Sequence, residues 1–272
     1  MSTIAYLGPE HTNTHVAALK RFGARYTYRH APTIDDVFMM VERERADYGV
    51  VPIENSLEGA VTHTLDRFID FRYSPVKIQG ELEQPIRHYV MLEKGRKLER
   101  VRAVYSHPQA LAQCGAWLDK HLSRAIRVET HSTAEAVQRM IESEEACAAI
   151  ARRELAGKRF QAVPVPLTAD NKTRFLILGL ENPRRGRQNK TSVLFALKDR
   201  PGALHDALVP FKRHRINLTK IESRPSKRKA WEYLFFIDFE GHVEEPRVKR
   251  ALSALESSTA LLKILGSYPV NR

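Results

Sequence analysis

"DDVFMMVERERADYGVVPIENSLEGAV", residues 35–61, contains a helix, a strand and a polar turn in immediate succession. "DDVFMMVERERA" has the apolar spacing of a helix face, and Asp35 and Asp36 suit its first turn, where the helix dipole favours negative charge. "YGVVPI" then reads as a strand buried on both sides, the kind found inside parallel sheets. Glu54, Asn55 and Ser56 follow that strand directly. Folds of this class bind ligands beyond the carboxyl ends of their strands. Asn and Ser also favour a plain turn, and Glu is mostly solvated, so both readings stand at this point.

Working outward, the same alternation continues. Ile4–Leu7 is a short apolar strand closed by Gly8-Pro9, and a helical pattern runs from about His15 to Phe22. Downstream, "HYVMLE", "RAVYSH" and "CAAIA" read as strands, and "PQALAQCGAWLDKHL" and "TAEAVQRMIESEEA" as helices. The alternation predicts an α/β domain with parallel strands and a crevice at their carboxyl ends. "ENPRRGRQNK", residues 181–190, breaks the pattern: it is basic, carries Pro and Gly, and has no apolar period. We expect a linker there, between a domain over 1–180 and a second over 191–272. The second reads strand "TSVLFALK", turn "DRPGA", helix "LHDALVPFKRHR", strand "INLTKIESRP", basic turn "SKRKAW", strand "EYLFFIDFEG", helix "EPRVKRALSALESS" and strand "LLKILGSYP". That order is βαββαβ, the ferredoxin-like unit.

Composition narrows the function classes. No stretch approaches the ~18 apolar residues of a membrane helix, and "MSTIAYLGPE" lacks the basic start and apolar run of a secretory signal. Two cysteines, Cys114 and Cys147, are too few for a disulfide framework. A cytoplasmic protein is expected. The formal net charge is +12, and residues 181–272 hold 19 Lys and Arg against 10 Asp and Glu. A basic lobe can bind polyanions, but no zinc-finger spacing and no aromatic–basic strand of the RNA-recognition kind accompany it, which favours a solvated surface over nucleic acid. The 11 histidines match no coordination frame, and no Gly-rich phosphate loop is present. The expectation is chemistry or binding without metal or cofactor.

Three further stretches could line a site. In "YSHPQALAQCGAW", Ser106 stands where an N-cap would, a role worth about 1 kcal/mol that requires no function, while Gln109 and Gln113 share a helix face. "HSTAEAV" repeats the capping logic with Ser132 or Thr133 before Glu135. "ADNKTRFLILG", residues 169–179, sets Thr173 and Arg174 at the entrance of a buried strand. Adjacent strand residues point to opposite faces, so Thr173 and Arg174 cannot both face one cleft once the strand has begun. Arg174 is suited either to a substrate carboxylate or to an ion pair inside the lobe.

Taken in order, "YLGPE", "VPIENSLEGAV", "SHPQALAQC", "STAEA" and "NKTRF", followed by "PGAL" and "NLTKIESRP", resemble the prephenate dehydratase family with its C-terminal ACT domain. The resemblance covers nearly the whole chain. It implies two lobes of a periplasmic-binding-protein-like fold with a cleft between them. The implied reaction is the cofactor-free loss of water and carbon dioxide from prephenate to give phenylpyruvate, in phenylalanine biosynthesis. The resemblance carries Thr173, Asn55, Ser106 and Gln113 over as catalytic positions, with Glu54 beside them. It places Thr12, Thr14, Ser56, Ser132, Thr133, Arg174 and Phe175 around the substrate. For the ACT domain it implies L-phenylalanine as effector, held at an interface by Gly202, Ala203, Leu204, Asn217, Leu218, Glu222, Ser223, Arg224 and Pro225, and hence a homodimer or homotetramer.

The chemistry asks little of the protein. A departing hydroxyl needs a proton or strong hydrogen bonds as charge develops on its oxygen. A threonine hydroxyl is too weak an acid to ionise, so Thr173 is expected to donate a hydrogen bond or relay a proton. Glu54 is an acid only if burial raises its pKa. One segment departs from the family: Glu10-His11-Thr12-Asn13-Thr14 follows Gly8-Pro9, with His11 for a glycine and Asn13 for an aromatic residue. A histidine reaches positive φ less easily than glycine, so a different loop path is expected. The departure keeps two rivals in view, an arogenate dehydratase and a prephenate decarboxylase on the same scaffold. An inactive amino-acid-sensing protein is the rival from another class.

Overall fold

The computed structural model describes residues 2–70, 74–143, 145–167, 170–226 and 232–270. The first lobe begins β1 (Thr3–Leu7), α1 (Asn13–Phe22), β2 (Thr27–Ala31), α2 (Ile34–Glu42), β3 (Tyr48–Asn55), β4 (Gly59–Ala60), α3 (Thr62–Asp70) and β5 (Lys77–Pro85). The chain then crosses to a second lobe. There it forms β6 (His88–Glu93), β7 (Ala103–Ser106), α4 (Pro108–Gln113), α5 (Gly115–His121), β8 (Ile126–Glu129), α6 (Thr133–Glu142), β9 (Cys147–Ala151) and β10 (Phe160–Val165). It returns as β11 (Lys172–Gly179), which inserts between β3 and β5 in the order β2-β1-β3-β11-β5. The second sheet runs β10-β6-β9-β7-β8. Two crossings, β5 to β6 and β10 to β11, therefore join the lobes.

Both sheets are mixed, not parallel as the alternation predicted. β11 is antiparallel to β3 and β5, and β6 is antiparallel to β9 and β10. Phe175–Leu178 is continuously apolar because this returning strand sits mid-sheet with both faces covered. The helix expected over 108–122 is two helices meeting at Cys114, whose backbone has left helical geometry (φ −89°, ψ 1°).

The third sheet, β13-β14-β12-β15, is formed by β12 (Asn189–Leu197), α7 (Ala203–Arg213), β13 (Leu218–Pro225), β14 (Tyr233–Glu240), α8 (Pro246–Ser258) and β15 (Thr259–Pro269). This is the βαββαβ unit. The basic turn expected over 226–231 lies, beyond Ser226, outside the described residues. Alternation along β12 sends Val193 and Phe195 to α7 and α8, while Leu194 and Ala196 face the first lobe. Leu194, Leu234, Phe236, Leu265 and Tyr268 share one buried cluster with Val51, Ile53, Leu65, Phe68, Ile78 and Leu176 of the first lobe. The third sheet is thus cored on both faces. No helix among the described residues is long and apolar enough to cross a membrane.

Candidate active site

β3 and β11 meet in antiparallel register at the rungs Asn55–Thr173 and Glu54–Arg174, just before a bulge between Arg174 and Phe175. Strand alternation then sorts four side chains into two sets. Asn55 and Thr173 face one way and bond each other. Glu54 and Arg174 face the other way and also bond each other.

On the first side, the Asn55 amide is fixed in orientation. Its Oδ1 accepts from the backbone N–H groups of Leu57 (2.9 Å) and Glu58 (3.2 Å), so its Nδ2 must be the end that donates to Asn171 Oδ1 (2.7 Å) and Thr173 Oγ1 (2.9 Å). Thr173 therefore accepts from Asn55 and keeps its own proton for another acceptor. The chain of bonds continues across the lobes: Asn171 Nδ2 donates to Gln113 Oε1 (2.8 Å), which also contacts His88 Nε2 (2.8 Å), and Gln113 Nε2 donates to Glu58 Oε1 (2.9 Å). Burial holds the His88 imidazole below its ordinary pKa, only partly opposed by the bond to Gln113. The ring is neutral near pH 7, with its proton on Nε2 because Gln113 Oε1 can only accept. Ser56 supports the turn, donating to the Asp170 carbonyl (2.8 Å) and accepting from Lys172 N (2.9 Å). Asn171, His88 and Glu58 are members that the sequence reading missed. Asn171 read as part of a turn and His88 as the first residue of a strand.

On the opposite side the assignments change. Arg174 is not at the cleft. Its guanidinium is buried and donates to Asp238 Oδ2 of β14 (2.7 Å), Glu81 Oε2 of β5 (2.8 Å) and Glu54 Oε2 (3.2 Å). Burial alone would depress its pKa, but those three carboxylates outweigh it and hold the group charged. Glu54 also accepts from Lys220 Nζ of β13. Burial pushes the Glu54 carboxyl up, yet Arg174 and Lys220 together hold it below the ordinary carboxylate value. An ionised Glu54 facing the third sheet is no general acid. Removing its charge, as Glu54→Gln, is expected to lower the melting temperature at neutral pH. A depressed carboxylate contributes fully above its unfolded pKa and loses that contribution as pH falls through its lower folded value. The deficit of the variant against wild type should therefore shrink below the ordinary value of 4.5, which paired melts across that range would measure.

Two more assignments are corrected. Phe175 is 1% exposed and packs with Ile4, Tyr6, Val50 and Ile177, so it is core and not substrate-lining. Ser106 is fully buried at the end of β7 and donates to the Ile150 carbonyl (2.7 Å); the residue capping α4 is His107. Ser106 pins two strands and does not face the cleft. Ser132 caps α6 by accepting from Glu135 N (3.1 Å), with Thr133 as the helix's first residue. Thr12 caps α1, accepting from His15 N (3.3 Å) and donating to the Leu7 carbonyl (3.1 Å), and Thr14 is buried in its first turn.

His11 takes the left-handed conformation after all, at φ 64°. Its backbone N–H donates to His15 Nδ1 (2.9 Å), and His15 stacks on Tyr6 with ring centroids 4.5 Å apart. The local backbone at this position thus needs no glycine, at a cost borne by the histidine. His11→Gly is expected to stabilise the protein by about 1 kcal/mol, readable by urea denaturation, since the bond to His15 comes from the backbone of residue 11 and the side chain gives up only a tilted ring contact with His15 (centroids 5.9 Å).

In the C-terminal domain, Gly202 caps α7 at φ 77°, with Ala203 buried and Leu204 half-buried behind it. Asn217 is exposed. Leu218, Glu222 and the intervening Lys220 lie on the less exposed side of β13, whereas Ser223 and Pro225 are exposed. Arg224 differs from the expectation: it holds Asp66 of α3 through three contacts of 3.1–3.2 Å and so ties β13 to the first lobe. A cavity of about 800 Å³ opens elsewhere, between α1, β5 and β12, lined by Lys20, Glu81, Glu83, Arg187 and Lys190 among others. Charges of both signs line it, and neither Thr173 nor Asn55 does.

The family model described as prephenate dehydratase matches residues 4–183, and that of the ACT domain matches residues 191–257. The chain is 49% identical over 270 residues to a bifunctional chorismate mutase/prephenate dehydratase of Aquifex aeolicus, covering 98% of this chain and 73% of that one. It is 39% identical to a prephenate dehydratase of Methanocaldococcus jannaschii, covering 90% and 89% of the two chains. The structure of an Arthrobacter aurescens prephenate dehydratase in complex with L-Phe superposes with a TM-score of 0.87 at 33% identity, over 98% of this chain and 89% of that one.

Proposed function

The chain belongs to the prephenate dehydratase family and is a hydro-lyase with an ACT domain, and we propose that Thr173 is the group that assists the leaving hydroxyl. The observation carrying this is the saturation of Asn55. Both backbone donors at its Oδ1 force its Nδ2 onto Thr173 Oγ1, which leaves the Thr173 O–H as a donor aimed away from Asn55. Prephenate loses its ring carboxylate as carbon dioxide while the C4 hydroxyl departs, and aromatisation drives both. Negative charge grows on the departing oxygen, so a donor placed there stabilises the transition state more than the ground state. Asn55 positions that donor. Gln113 links Asn171 in the first lobe's β11 approach to His88 in the second, holding the lobes at one separation. Glu54 contributes no proton.

We further propose that L-phenylalanine inhibits the reaction through the ACT domain of a dimer. Two features support this: the L-Phe complex of the Arthrobacter relative, and the ion pairs by which Lys220 and Asp238 of the third sheet hold Glu54 and Arg174, the immediate neighbours of Asn55 and Thr173. An effector that shifts β13 changes the strand pair carrying the donor. Coupling of this sort needs L-phenylalanine to bind one arrangement of the domains better than the other. The test is turnover of purified protein on prephenate and on arogenate, each with and without L-phenylalanine. Phenylpyruvate, read by its absorbance in alkali, is expected from prephenate and is expected to fall when L-phenylalanine is added. Turnover of arogenate alone overturns the substrate, and a rate indifferent to L-phenylalanine overturns the regulation.

A further inference from the structure

Arg152 follows the last residue of β9, at the carboxyl end of the second sheet. The last rung between β6 and β9 is Tyr89–Ala151, so the next residues outward are His88 and Arg152. His88 ends the polar chain that begins at Thr173. Arg152 therefore leaves the sheet beside that chain. Its direction follows from the strand's own period. Ile150 lies in the cluster with Val90, Leu92 and Leu111 of α4, whereas Ala149 and Ala151 lie in the cluster on the other face. Arg152 keeps extended backbone angles (φ −79°, ψ 149°), so the alternation carries its side chain to the α4 face, where Gln113 and His88 also lie.

Among the described residues the guanidinium forms no ion pair, and its buried Nε has no hydrogen-bond partner. Burial, opposed by Glu154, disfavours its charge. Burial first, then His11 and finally Arg152 across the cleft lower the pKa of His15 of α1, partly opposed by Glu10. The contrast with Arg174 is sharp: that buried guanidinium is ion-paired with three carboxylates, whereas half-buried Arg152 is ion-paired with none among the described residues. A partly desolvated cation costs free energy that a fold ordinarily offsets with a protein carboxylate, and here that partner is missing.

We infer that Arg152 anchors a carboxylate of the substrate, and that the anchored group is the side-chain carboxylate that survives the reaction. This inference rests on the dehydratase reading above. The choice between the two carboxylates follows from transition-state logic. The ring carboxylate loses its charge as it becomes carbon dioxide, so a guanidinium paired with it would stabilise the ground state more than the transition state and slow the reaction. The retained carboxylate keeps its charge throughout, and binding it is uniform. Arg152 then sets affinity from the second lobe while Thr173 acts from the first.

The test uses the full chain. Wild-type protein is first shown to convert prephenate; failure there sinks the dehydratase reading itself. Arg152→Met is then expected to raise KM about 10- to 100-fold, the range of one charge-assisted hydrogen bond or pair, with kcat within about threefold. Phenylpyruvate keeps the side-chain carboxylate and lacks the ring one, so its inhibition constant is expected to weaken by the same factor. If the Met variant fails to fold by circular dichroism, Arg152→Gln, which keeps a stem and a polar end, supplies the same comparison. A KM unchanged within twofold removes Arg152 from the site. A raised KM with phenylpyruvate inhibition unchanged assigns Arg152 to the ring carboxylate and overturns the choice made here.

Discussion

Thr173→Val is expected to lower kcat on prephenate by about 100- to 1000-fold while KM and the melting temperature stay close to wild type. The magnitude is that of removing one preorganised donor from a developing oxyanion. Valine matches threonine in shape, so the strand and its neighbours keep their packing. The lost interaction in the fold is one bond, from Asn55 Nδ2 to Thr173 Oγ1, and Asn55 retains Asn171 as acceptor on the same amide nitrogen. A neutral hydrogen bond of this kind is worth about 1 kcal/mol of stability. The split between kcat and KM is the discriminating readout. A donor used only in the transition state lowers kcat and kcat/KM together, whereas a binding contact would raise KM. Single-turnover formation of phenylpyruvate in the variant measures the chemical step directly, and a rate within threefold of wild type would remove Thr173 from it.

Arg174→Leu, one residue away, is expected to fail in a different manner. The substitution leaves Glu54, Glu81 and Asp238 facing one another, with Lys190 on Glu81 and Lys220 on Glu54 as the remaining ion-paired cations among the described residues. Breaking a buried ion cluster by deleting one partner costs about 3–5 kcal/mol, because the stranded charges stay desolvated. For a chain of this size that corresponds to a fall in melting temperature of about 10 °C. Asp238 belongs to the third sheet and Glu81 to the first lobe, so the damage should also appear as loosened docking of the C-terminal domain. Limited proteolysis near residues 180–188, where the chain has no regular structure, would report it. Adding Asp238→Asn to the variant removes one stranded charge and is expected to recover part of the loss. A single variant melting within 2 °C of wild type would show that the cluster contributes nothing to stability. The two neighbouring substitutions thus separate chemistry from scaffolding.

Much of this was legible before any coordinates. The α/β alternation and the βαββαβ module follow from local patterns, because apolar periodicity and turn chemistry are properties of neighbours along the chain, whereas Thr173 and Asn55 stood out as site residues only through the family resemblance. The rule that Thr173 and Arg174 must part company is local too, since strand residues alternate whatever the sheet around them. Which of the two faces the cleft was not legible. That depends on Asp238 and Glu81, 64 and 93 residues away, and a buried guanidinium goes where carboxylates satisfy it. The charge of Glu54 was open for the same reason: its alternation with Asn55 is local, but Arg174 and Lys220, which hold its carboxyl below the ordinary value, come from other strands.

Local pattern carries most of the elements, their order and the residue types available for catalysis. Long-range contacts set the rest: β11 runs antiparallel through the first sheet, Asn171, Gln113 and His88 complete one bonded chain between the lobes, and Ser106 and Phe175 are buried away from it. The reason is physical: periodicity records which face of an element is covered, but not by what, and a polar side chain takes its role from the partner that reaches it.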